Sequence, residues 1–323
     1  MPMFTSGKVA ATPFFIENGP RSLDLIRQGL MQLPPDEKAL TPGWLGASHD
    51  DRIRQYGIAP GHDIPVQRIP ADPRTPERLL ARYYFWTHDP ARAAILSHRP
   101  AHEHFRLDAV DVVVTLLETG QILALASSRT PEHLDAVESG LAACLSGAVA
   151  RFDRPTMLHL GRPDFFLWAI EWIENGPSIG EVSLLEGSSL ATLDGSSRGS
   201  TIHHTVDTSR PVVLNAIANG ETLGPMRLHI RIDSLPAKIV VELHLDGSFV
   251  VLTSETHYSI HAGVSNKSMR AVEDVAFFLI PLLRTRYESD DNWSDARRDA
   301  YVTAAKRRLV DLYSVPDGTQ DLV

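Results

Sequence analysis

Cysteine is nearly missing from this sequence: Cys144 is the one example in 323 residues. A disulfide within the chain is therefore impossible, and a Cys-rich zinc site is excluded. Cys144 lies in the apolar run LAACL, where a cysteine behaves as a small buried hydrophobe. Long hydrophobic runs are missing too. The longest, VAFFLIPLL at 275–283, is too short to span a bilayer and contains Pro281. The N-terminus lacks the basic start and apolar stretch of a secretory signal, so a cytoplasmic protein without membrane contact is expected. Positive charge is in deficit. Lys and Arg number 31 against 40 Asp and Glu, a net charge of −9, which argues against an all-over electrostatic grip on nucleic acid. Motifs of known chemistry are absent as well. The sequence has no P-loop, no dinucleotide fingerprint, no Gly-x-Ser-x-Gly elbow and no His-Glu-x-x-His. No cofactor is expected.

What the chain does have is ordinary globular composition, 43% hydrophobic and 22% charged, and a partial repeat. HFRLDAV at 104–110 returns as HIRIDSL at 229–235. The match extends through VVVTLLETGQILALAS and IVVELHLDGSFVVLTS, with Gly120 opposite Gly247 and Pro236-Ala237 extra in the second copy. Each segment is a β-branched run, a glycine turn and a second apolar run, which is a hairpin pattern. In the first copy both faces are apolar, so its strands should be covered on both sides. Glu242 and His244 share a face in the second, which should be wetter. LDAVESGLAACL (134–145) then aligns with MRAVEDVAFFLI (269–280), each with apolar residues at helical spacing. The fold expected is therefore mixed α/β (α+β). It is an internally duplicated strand–hairpin–helix unit about a pseudo-twofold axis, with antiparallel sheets covered by helices.

Five segments follow from this reading. Residues 1–75 form an irregular, Pro-rich segment with one helix at 22–33, capped by Ser22. Residues 76–160 hold the first repeat, opened by a helix from Thr75-Pro76-Glu77 through RLLARYYFW. Residues 161–204 hold an apolar helix, PDFFLWAIEWIEN, and a Gly/Ser-rich loop, EGSSLATLDGSSRGS. Residues 205–285 hold the second repeat, and 286–323 a capped helix from Ser294 and a polar tail.

Candidate site residues are few. Tyr83, Tyr84, Trp86, Trp168 and Trp172 could anchor an interface. Arg297, Arg298, Lys306, Arg307 and Arg308 make the last helix locally basic, a candidate phosphate-contacting face. His102 and His104, near His98 and Glu103, would share a strand face and are weak metal candidates. Arg106–Asp108 and Arg231–Asp233 read as ion pairs. His49-Asp50, His62-Asp63 and His88-Asp89 lack the helical setting of a metal phosphohydrolase. His203-His204 follows the Gly/Ser-rich stretch, where a mobile catalytic histidine could sit. The function expected is a non-enzymatic binding or adaptor protein, joined to itself or to a protein partner. Nucleic-acid contact is the alternative, and a metal-dependent hydrolase the weakest reading.

Overall fold

A computed structural model describes residues 7–36, 39–47, 65–145, 148–151, 158–175, 178–179, 182–193, 199–203, 206, 210–233, 237–259 and 266–314. In chain order the elements are β1 (Lys8–Glu17), α1 (Leu23–Met31), β2 (Gly43–Gly46), β3 (Gln67–Ile69), β4 (Arg78–His88), α2 (Pro90–Ile95), β5 (Phe105–Leu116) and β6 (Ile122–Ala126). Then follow α3 (Pro131–Leu145), β7 (Ala148–Arg151), α4 (Phe165–Asn175), β8 (Ser178–Ile179), β9 (Val182–Leu193), β10 (Gly199–His203), α5 (Pro211–Ala218) and β11 (Thr222–Ile232). The last are β12 (Ala237–Leu243), β13 (Phe249–Leu252), β14 (His257–Tyr258), α6 (Lys267–Asp274), a π-helical turn (Val275–Leu279), α7 (Ile280–Glu288) and α8 (Asp295–Tyr313). Mixed α/β architecture with antiparallel pairing is as expected.

The chain forms two compact units. Unit 1 holds residues 1–158, 248–253 and 265–279; unit 2 holds 159–247, 254–264 and 280–323. In unit 1 the strands run β13-β1-β6-β5-β4-β2, with β7 also on β1 and β3 also on β4. One face of this sheet, carrying Phe14, Ile16, Leu79, Ala81, Tyr83, Phe85, Val112 and Val114, packs on α1 and α3. Ser22 caps α1 as expected, its hydroxyl accepting from the Leu25 N–H. Leu134, Val137, Leu141 and Leu145 are the buried face of α3. Val112, Val113 and Val114 are all fully buried, so β5 is covered on both sides.

Several expected elements differ. RLLARYYFW is not a helix but most of β4, paired with β5 over its whole length. Four consecutive aromatics and burial of both faces from Arg78 to Phe85 suit a pleated central strand. The N-terminal segment holds strands besides its expected helix. KVAATPFFIE forms β1, which pairs with β6, β7 and β13. EGSSLATLDGSSRGS is not an open loop either: its first half lies in β9 and its end in β10. Small residues fit there because Met226 and Val206 close on Gly187, leaving no space for a side chain.

The two matched sequence segments also differ in structure. FRLDAVDVVVTL is one continuous strand, whereas the second copy turns back after Ile232 and forms two antiparallel strands, β11 and β12. In unit 2 the sheet runs β10-β9-β11-β12-β14, with β8 on β9. α4 packs on β9 and β11, and α5 packs on α8.

Candidate functional site

Strand β11 alternates strictly over its last residues. Leu228, Ile230 and Ile232 are buried, so Arg227, His229 and Arg231 share the opposite face. Register places their neighbours. Arg227 lies opposite Glu242, His229 opposite Glu186, and Arg231 opposite Lys238. Lys238 in turn lies opposite His257 on β14. Glu242 reaches both Arg227 and His244, at 3.5 Å each. The second hairpin is thus the more polar, as its sequence implies.

His229 sits at the middle of this face. Its Nε2 lies 2.9 Å from Ser188 Oγ, and its Nδ1 lies 3.3 Å from Glu186 Oε1. The second contact is out of line for a hydrogen bond, and Nδ1 is a buried atom without a hydrogen-bond partner. Burial pushes the His229 pKa down, against the pull of Glu186, which favours a neutral ring. Serine, histidine and carboxylate in this order resemble an acyl-transfer triad. The setting does not suit one. Ser188 lies inside β9, where the pairing to β11 shifts register between Ser189 and Gly187, and not on the strand-to-helix turn that exposes a nucleophile beside an oxyanion hole. A similar contact, Ser128 Oγ to His133 Nδ1 at 3.0 Å, accompanies a hydrogen bond from the Thr130 N–H to Ser128 at the start of α3. The Ser188–His229 contact is likewise structural.

At the turn end of β11 and β12 lies a cleft of about 400 Å³, lined by Arg231, Ile232, Asp233, Ala237, Lys238, His257, Tyr258 and Ser259. Arg231 pairs with Asp233 at 2.9 Å, with both side chains 55% exposed. The Ser259 hydroxyl is buried and has no hydrogen-bond partner.

The residues singled out from sequence are dispersed. Tyr83, Tyr84 and Trp168 are buried inside their own units, so they pack cores and cannot meet a partner unless a unit opens. Trp86 and Trp172 are half-buried. On α8, Arg297 is held by Glu171, and Arg298 by Asp295 and Asp299. Lys306, Arg307 and Arg308 are exposed. His102 and His104 lie in a 3-10 turn (Ala101–His104), not on a strand, and the His104 Nε2–H donates to Leu96 O at 3.0 Å. Among the described residues no group of three His, Cys, Asp or Glu could hold a metal.

His88 ends β4, and Asp89 caps α2. His49-Asp50, His62-Asp63 and His204 lie outside the described residues, as does the side chain of His203. Arg106–Asp108 is an ion pair of 2.8 Å, as expected. Cys144 packs against the unit 1 core, and burial pushes its thiol up to about 12, which makes it unreactive. No helix among the described residues is long and apolar enough to cross a membrane.

Two clusters have no signal in the sequence. In unit 2, Asp164 at the start of α4 accepts from Tyr287 (2.7 Å) and Trp293 (3.0 Å), and Asp290 accepts from Trp168 (3.0 Å). In unit 1, Arg78 makes a bidentate pair with Glu273, and Arg270 bridges Asp72 (2.6 Å) and Asp274 (2.9 Å). The carboxylates and their partners stand more than a hundred residues apart, apart from the i,i+4 pair Arg270–Asp274. No family model matches the chain, and no curated protein matches it.

Proposed function

We propose that the protein is a non-enzymatic binding protein that assembles with itself or with a protein partner. The observation that supports this is apolar exposure on two helices that pack on each other. α5 leaves Val212 51% exposed; α8 leaves Val310 62%, Leu312 44% and Tyr313 77% exposed. Val310 and Tyr313 are three residues apart and share a helix face. Large apolar side chains gathered on one surface are what an interface buries. Nucleic-acid contact through α8 is weaker, because Arg297 and Arg298 are committed to carboxylates of the same unit.

The core carrying this surface fits an internal duplication. Gly120 and Gly247, matched in the repeat, both turn at positive φ (80° and 85°). Each donates its N–H to the carbonyl three residues earlier, Leu117 and His244. A strand follows each turn, β6 and β13, and a helix comes after it, α3 directly and α6 after the short β14.

Native mass spectrometry of the untagged protein tests the assembly. The expected mass is a multiple of the 35.6 kDa chain, or the chain plus a companion. Val310→Glu with Tyr313→Ser should return the single chain. A bare single chain from the wild type at every concentration would sink the proposal.

A further inference from the structure

We infer that the cleft at the turn end of β11 and β12 binds a phosphate group, as carried by a small phosphate monoester. Three observations converge there. The first is the register: Arg231, Lys238 and His257 stand directly opposite one another on three adjacent antiparallel strands, so their side chains leave the same face of the sheet. Cross-strand neighbours lie about 5 Å apart, and like charges so placed repel. A shared anion relieves that repulsion and draws the three heads together.

The second observation is local charge. In a chain of net charge −9, this cleft carries two fixed cations and a histidine against Asp233, the one carboxylate among its described lining residues. Asp233 is spent on Arg231 in an exposed pair that an incoming anion can replace. Neither Lys238 nor His257 meets a carboxylate among the described residues. A phosphate monoester carries close to two negative charges at pH 7 and presents three strong acceptor oxygens, which suits several donors better than a single carboxylate does.

The third is the Ser259 hydroxyl, buried without a partner. Such a group is costly to leave unpaired and is accounted for by a ligand oxygen that accepts its proton. The cleft's volume of about 400 Å³ lies within the usual range for small-molecule sites and leaves room for the organic part of an ester. No residue of α5 or α8 is among those that line the cleft, so the two readings are tested separately.

The test is equilibrium dialysis of the full chain against inorganic phosphate at low ionic strength, with acetate as a competing anion. Saturable binding at one site per chain is expected. Lys238→Gln and Arg231→Gln should each weaken it tenfold or more, with circular dichroism unchanged, and Lys306→Gln on α8 should leave it as in the wild type. Absence of saturable binding by the wild type, binding by Lys238→Gln equal to the wild type, or displacement by acetate as effective as by phosphate itself would each overturn the assignment.

Discussion

At the scale of single residues, the buried ion pairs dominate. Arg78 and Glu273 have side chains only 5% and 3% exposed, and they meet in a two-pronged contact with one distance of 2.7 Å. Burial pushes the Glu273 carboxyl up, while Arg78 pulls it down, so much of the attraction is spent offsetting lost hydration. The consequence is asymmetric. Glu273→Ala leaves the buried guanidinium with the Pro70 and Pro76 carbonyls but no counter-charge, and should cost about 3–5 kcal/mol in urea unfolding. The double change Arg78→Met with Glu273→Leu should restore most of that loss. A single variant as stable as the wild type would show that water reaches Arg78 freely. The pair Arg106–Asp108, whose carboxylate is buried, was legible in the sequence because both partners lie on one strand, two residues apart. Arg78 and Glu273 are separated by 195 positions, and no local pattern announces their meeting.

At the scale of elements, caps and apolar runs locate four of the helices. α1, α3, α4 and α8 all lie where Ser22, the LDAVESGLAACL spacing, the PDFFLW run and Ser294 place them. β4 misled because both of its faces are buried, which erases the alternation that marks a strand. Arg78 and Arg82, four apart, suit a helix face as well as a strand face. The pairing of α3 on β4 gives a sharp check. Gly140 lies in α3, its carbonyl accepts from Trp44 Nε1 at 3.3 Å, and a methyl group at Gly140 would overlap the Tyr83 ring. Alanine in a helix interior usually stabilises by about 1 kcal/mol over glycine. Here overpacking against Tyr83 should win, and Gly140→Ala should lose about 1–3 kcal/mol in chemical denaturation. A gain in stability would mean that α3 does not press on β4 at this point.

At the scale of the whole molecule, unit 1 runs unbroken through residues 1–158. What no linear division reveals is that unit 1 also takes residues 248–253 and 265–279 from the second half. These bring β13, which pairs with Lys8–Ala11 of β1, and α6, which packs on both strands and carries Glu273 and Arg270. A fragment of residues 1–160 therefore lacks the partner of one half of β1. It also strands Arg78, 4% exposed, and removes Arg270 from Asp72. Hydrogen bonds from Thr75 and the Arg74 N–H, with the charge of Arg270, hold the Asp72 carboxyl at about 2 against burial, so that anchor weakens as well. Native stability is a margin of about 5–15 kcal/mol, and an unpaired buried arginine alone consumes about 3–5. The fragment should show no cooperative unfolding transition and no near-ultraviolet circular dichroism, while the full chain shows both. A cooperatively folded fragment would mean that β13 and α6 are accessories to a core already complete by residue 158. Its failure would mean that the second half of the chain must be made before the first can hold its buried charges.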